Sequence, residues 1–176
     1  EKVEESYWTT LMLVFGVVAF CLYLTYGSLM ATAILMVPVV FSQFLCEAVM
    51  VIFNIDLNVN SLPVAAAGAG VGVDYGIYHF SRILDCFDEG RDVDDAVDYA
   101  TATTGKAIIF TASTMFAGTI FWFFSSLKFQ AEMGVLLALL MTLNTYGGLV
   151  VVPALVKVIR PKFLIKRRDA ARERLA

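Results

Sequence analysis

Five apolar stretches dominate the chain, near residues 8–26, 29–53, 62–83, 107–125 and 133–159. Each can cross a hydrocarbon core, which takes about 20 helical residues. Gly27-Ser28 leaves room only for a tight turn between the first two. Asn54 to Asn60 and Ser125 to Glu132 form short polar links elsewhere. One longer interruption, residues 85–105, carries Asp92 as an N-cap. It then sets apolar Val93, Ala96, Val97 and Ala100 at helical spacing against Asp94, Asp95 and Asp98. This segment is expected to form an amphipathic helix lying on the membrane. The pattern predicts an all-α integral membrane protein, a five-helix transmembrane bundle over residues 1–160 followed by a basic tail over 161–176.

Composition sharpens that picture. Apolar residues make up 59% of the chain and charged residues only 16%, a balance that a single soluble core of this length could not bury. The net charge of −3 is confined to short segments and bears on topology more than on partners, and nothing points to nucleic acid. Cys21 and Cys46 fall in apolar runs and Cys86 in a charged one, which is neither metal-ligand spacing nor a disulfide framework. The opening Glu1-Lys2-Val3-Glu4-Glu5 lacks the basic start of a signal peptide and reads as the continuation of a longer sequence.

Lys and Arg set the expected orientation. Lys157, Arg160, Lys162, Lys166, Arg167, Arg168, Arg172 and Arg174 put the tail on the cytoplasmic side. Counting back through five spans places the 85–105 segment, flanked by Arg82, Arg91 and Lys106, on that side as well. The outward-facing parts then carry only Lys2 and Lys128.

The third span holds the chemistry. Asp74 lies roughly 18 Å from the outer end of its helix at about 1.5 Å per residue, close to the bilayer midplane. A carboxylate there costs about 2.5–3.5 kcal/mol on insertion scales, so it demands a partner, a cavity or a proton. Desolvation disfavours the charged form, which suits a group that exchanges protons; the plainer reading is interhelical glue. Gly68, Gly70 and Gly72 would let a neighbouring helix approach closely. They do not make a dinucleotide fingerprint, because no glycine fills the third position and no strand precedes them. Tyr78 lies one turn beyond Asp74 and could bond it, while Tyr75 and His79 pair on a neighbouring face, His79 near the cytoplasmic end.

On the fourth span Thr111, Thr114 and Gly118 share a face, with Ser113 and Thr119 nearby. Their hydroxyls could serve the carboxylate or simply bond their own helix backbone. Glu47, with Gln43, lies near the outer boundary within reach of interfacial water. Asn144 and Gly147-Gly148 look like packing and bending devices, and Pro153 is expected to close the fifth span.

The run Gly70-Val-Gly-Val-Asp74-Tyr75-Gly76-Ile-Tyr78, then Arg82, Ala96, Gly105, Thr111-Ala112, Thr114, Gly118, Gly134 and Pro153-Ala154-Leu155 resembles the membrane half of a resistance-nodulation-division (RND) transporter. Its Asp-Tyr pair is similar to the branch of mycobacterial large membrane proteins (MMPL) and related lipid exporters. Sterol-sensing domains share the helical unit. The resemblance covers about residues 8–160 and implies the last five helices of one half, the C-terminal half by its basic ending. It implies a proton relay at Asp74 and Tyr75 facing the equivalent pair of another half; from the residues themselves, Tyr78, Thr111 and Thr114 are candidates to support it, and Gly68, Gly70, Gly72 and Gly118 are expected to serve helix packing. The chain departs from relatives at Thr114, Met115, Gly118 and Thr119, where paired threonines and Gly-Phe are common.

The expected function is the membrane part of a proton-driven exporter of hydrophobic or amphiphilic molecules in a bacterial inner membrane. It would be a multi-pass protein with a cytoplasmic C-terminus and would not be an enzyme. It would need no cofactor or metal, with a proton gradient as energy source. Its partners would be the lipid bilayer, a second transporter half or a second copy, and a periplasmic porter domain supplied elsewhere. The alternative is a lipid- or sterol-sensing module without transport. An intramembrane aspartyl protease needs two facing carboxylates, and Asp74 stands alone at mid-depth.

Overall fold

The computed structural model describes residues 2–52 and 61–175, and all of its regular structure is helical. Helix α1 spans Lys2–Tyr26 and α2 spans Leu29–Ile52. Between them Gly27 adopts φ +60°, and its N–H closes on the Tyr23 carbonyl at 2.8 Å. A side chain would be strained in that left-handed position, and glycine is not. The polar link expected at 54–60 lies outside the described residues.

Helix α3, Ser61–Asp88, packs against α1, α2, α4 and α5 and forms the axis of the bundle. Among the described residues four helical stretches are long and apolar enough to cross a membrane: 6–26, 29–52, 93–124 and 128–159. The third expected span, α3, is 28 residues long but less apolar, because it carries the glycines, Asp74, Tyr75, Tyr78 and His79. A helix enclosed by its neighbours presents little surface to lipid, so it does not need a uniformly apolar sequence.

The segment 85–105 differs from expectation. Helix α3 runs on to Asp88, a short turn through Gly90 at φ +77° reverses the chain, and α4 runs unbroken over Val93–Ile120. Val93, Ala96, Val97 and Ala100 are buried and Asp94, Asp95 and Asp98 are exposed, as the pattern predicts. The segment is nevertheless the first turns of the fourth span, not a separate helix on the membrane surface. Its apolar face joins the same buried cluster as Phe80, Ile83, Phe87, Val152 and Val156. Its acidic face meets cations: Arg160 Nη2 lies 3.0 Å from Asp94 and Lys157 Nζ 2.6 Å from Asp98. Asp92 sits at the N-cap but makes no cap hydrogen bond, because its carboxylate is taken by Arg168 at 2.5 Å.

A 3₁₀ turn at Phe121–Phe124 ends α4, and α5 follows over Lys128–Tyr146. A π-turn at Gly147–Val151 then leads directly into α6, Val152–Ile159. Pro153 therefore does not close the fifth span. It stands in the first turn of α6, where its missing N–H costs least, and the widened π-turn before it absorbs the irregularity. Gly147 sits against Pro38 of α2 and Gly148 against the Tyr75 backbone of α3, so a side chain at either would collide.

Helix α7, Lys162–Leu175, folds back on the α3–α4 turn. Leu164 is buried in the main cluster, Arg167 grips Asp88 with two hydrogen bonds of 2.5 Å, and Arg172 donates to the Gly90 carbonyl at 2.9 Å.

Candidate functional site

The helical period divides the third span into two faces. Asp74 and Tyr78, four residues apart, lie exposed on one side, while Tyr75 at 5% and His79 at 0% exposure lie on the other. Asp74, Tyr75 and Tyr78 of α3 and Ala107, Ile108 and Thr111 of α4 line a cavity of about 270 Å³. Among the described residues no hydrogen bond or ion pair satisfies Asp74. Tyr78 shares the cavity without bonding the carboxylate, and Thr111 brings a hydroxyl to it. Thr114 does not line the cavity; its Oγ1 donates to the Thr111 carbonyl at 2.8 Å.

Tyr75 is packed with Ile108 and Met141, and its hydroxyl is buried without a hydrogen bond, beside Thr145 of α5. Thr145 itself donates to the Met141 carbonyl at 2.6 Å, leaving its oxygen free to accept. Thr145 also lines a groove of about 490 Å³ between α4 and α5, with Ala112, Phe116, Met141 and Leu149. The hydroxyls of Ser113 and Thr142 in that groove donate to their own helix carbonyls at 2.7 and 2.8 Å, which leaves the groove nearly all apolar.

The glycines separate by helical phase. Gly68 meets Leu140, and Gly72 meets Asn144, whose Nδ2 donates to the Gly68 carbonyl at 2.9 Å. Among the described residues Gly70 and Gly118 pack against nothing: both are exposed, with no atom where a methyl group would sit. Two residues on from Gly68, Gly70 points to the opposite face, as a period of about 3.6 residues requires.

Glu47 belongs to an interhelical tie. Tyr7 Oη donates to its carboxylate at 2.7 Å, and buried Gln43 donates to Tyr7 Oη at 3.1 Å. His79 is fully buried and enclosed between Thr101 and Thr104 of α4. Those two threonines and Thr145 are the residues whose part the sequence pattern did not reveal, whereas Asn144, expected to pack, sits against Gly68 and Gly72. For Thr101 and Thr104 the signal is positional, since both lie at the inner end of α4, beside the antiparallel α3 across a short turn. Among the described residues no group of His, Cys, Asp and Glu could hold a metal ion.

The model of the MMPL family matches residues 2–175. The chain is 24% identical over 157 residues to the membrane protein MJ1562 of Methanocaldococcus jannaschii, covering 89% of this chain and 40% of that protein. It is 28% identical over 119 residues to the "Probable transport protein MmpL12" of Mycobacterium tuberculosis, 66% of this chain and 10% of that one. To the "Sulfolipid-1 exporter MmpL8" of the same organism it is 29% identical over 104 residues, 58% of this chain and 10% of the exporter. The chain thus spans less than half the length of these relatives.

Proposed function

The chain belongs to the MMPL family, and from that premise we propose that it is the membrane part of a proton-driven exporter of hydrophobic or amphiphilic molecules, with Asp74 as its proton-carrying residue. The observation that carries this reading is the placing of Asp74. It stands in the middle of the central helix, lining a cavity, with no hydrogen bond or ion pair among the described residues to satisfy it. A carboxylate in that position is costly unless protonated or covered. The exposed face around it includes Gly70, Tyr78, Thr111 and Gly118, and suits a second half, or a second copy, that presents an equivalent surface. Protonation would then change how the two halves pack, and a porter domain outside this chain would respond, since coupling requires two states of different proton affinity.

In this reading the basic end at α7 and the α3–α4 turn face the cytoplasm of a bacterial inner membrane, as the distribution of Lys and Arg supports. Tyr75 would orient the carboxylate or pass its proton. A relative named as a sulfolipid exporter supports an amphiphilic cargo. The apolar groove between α4 and α5 is what favours the second reading, a lipid-sensing module without transport. Reconstitution of the complete protein under an imposed pH gradient, with Asp74→Asn beside the wild type, separates the two. An exporter of this kind loses proton-coupled transport, whereas a sensor retains lipid binding and has no transport to lose.

A further inference from the structure

His79 lies on α3 five residues beyond Asp74, roughly 7.5 Å further along the helix toward the end carrying α7. It is fully buried, yet among the described residues no charged group pairs with it. Its ring bridges two hydroxyls of the facing helix. Nε2 is 3.2 Å from Thr101 Oγ1 and Nδ1 is 3.3 Å from Thr104 Oγ1. The antiparallel course of α3 and α4 gives this row a direction, with Thr101 nearer the α7 end and Thr104 nearer Ile108 and Thr111 of the Asp74 cavity.

Counting protons explains why the row matters. Each hydroxyl has one proton, and both are directed at their own helix, Thr101 to the Val97 carbonyl at 2.8 Å and Thr104 to the Ala100 carbonyl at 2.7 Å. A neutral imidazole has one N–H and one bare nitrogen. The N–H is satisfied by either threonine oxygen, but the bare nitrogen needs a proton from the other. One hydroxyl must therefore turn from its carbonyl to the ring, and either can, according to the tautomer. The clamp has two nearly equivalent arrangements that differ only in where one proton sits.

We propose that Thr101, His79 and Thr104 form the cytoplasmic segment of the proton path that serves Asp74; this rests on the reading of the chain as a proton-driven exporter. A proton arriving from the Asp74 side moves to the Thr104 oxygen as the Thr104 O–H proton passes to Nδ1. The N–H at Nε2 breaks, its proton goes to the Thr101 oxygen, and the Thr101 proton leaves to cytoplasmic water. No net charge remains on the ring, and reversal of the tautomer resets it. The titratable groups on the surrounding elements leave this row to itself. On α3 the Tyr75 hydroxyl lies beside Thr145 of α5, and Arg82 is held by Asp85 at 3.7 Å and stacks on the Tyr99 ring. On α4 Asp98 is paired with Lys157 of α6, and Lys106 points outward. On α1 Tyr26 is bonded to Ser81 at 2.9 Å.

The test uses the complete protein in proteoliposomes, with export measured against pH on the cytoplasmic side at fixed outer pH. His79→Gln keeps one donor and one acceptor for the two threonines but cannot exchange its protons. It is expected to fold with a wild-type melting temperature, to export at least tenfold more slowly, and to lose the dependence on cytoplasmic pH. Should His79→Gln fail to fold, Thr104→Val and Thr104→Ser replace it: export lost in Val and kept in Ser supports the path. Wild-type export and pH profile in a folded His79→Gln or Thr104→Val protein overturns it. If those variants are silent while Asp74→Asn abolishes export, only this inference fails. If Asp74→Asn also exports normally, the exporter reading itself fails.

Discussion

Asn144 of α5 donates its side-chain amide to the Gly68 carbonyl of α3 across 2.9 Å and occupies the space that a side chain at Gly72 would need. The bond ties α5 to α3 at the level just before Asp74. It also explains why two of the three clustered glycines are required and the third is not.

Substitution at these positions should separate them. Gly72→Ala drives a methyl group into the Asn144 amide and should cost about 1–3 kcal/mol, as overpacking does, despite the better helix propensity of alanine. Gly70→Ala meets nothing within this chain and should be neutral or slightly stabilising. Thermal unfolding of this chain in detergent checks the pair, and equal losses at the two positions would contradict the packing described.

The docking of α7 should depend on Leu164 more than on its arginines. The pairs Arg167–Asp88 and Arg168–Asp92 involve exposed carboxylates on a screened surface, where each is worth about 0.2–1 kcal/mol. Leu164 is fully buried, and its truncation to alanine should cost about 2–5 kcal/mol. Limited proteolysis of α7 should therefore accelerate strongly in Leu164→Ala and weakly in Arg167→Ala, and the arginine effect should shrink as salt is raised.

Cysteine labelling in sealed vesicles tests the topology. Ser28→Cys and Glu89→Cys should react from the same side as a cysteine at Arg168, and Ser126→Cys from the opposite side. The native Cys86 should stay silent, because it is fully enclosed and burial pushes its thiol upward, leaving little thiolate to react at neutral pH. Labelling of Glu89→Cys and Ser126→Cys from one face would remove the five-span arrangement.

Much of this architecture was legible along the chain, and the exceptions have physical causes. Apolar length locates the membrane-spanning helices but not the charged α7, and the left-handed turn at Gly27 follows from its place between two spans. The 85–105 segment misleads because its acidic face looks solvent-bound. Its partners, Lys157, Arg160 and Arg168, lie about sixty to eighty residues away, and only the fold brings them within reach. Asp74 stands out because a lone carboxylate in an apolar helix is costly wherever it occurs. The enclosure of His79 could not be read in the same way. It depends on the register between α3 and α4, which a four-residue turn fixes and a local pattern does not.

Pairing of this chain through its exposed face should be measurable by disulfide crosslinking. Thr111→Cys and Gly118→Cys lie on the side of α4 that this chain leaves uncovered. In the complete protein they should crosslink to the facing half or to a second copy, whereas Gly105→Cys, buried within the chain, should not.

The most direct measurement is export by the complete protein in proteoliposomes with an imposed pH gradient, comparing the wild type with Asp74→Asn and Tyr75→Phe. Asparagine keeps the shape of aspartate and can hydrogen-bond, but it cannot ionise. Asp74→Asn should leave expression and melting temperature unchanged and reduce proton-coupled export to background. Tyr75→Phe removes only a buried hydroxyl and should slow export without abolishing it. Export by Asp74→Asn at the wild-type rate and with the wild-type pH dependence would contradict the account and reduce Asp74 to a structural residue.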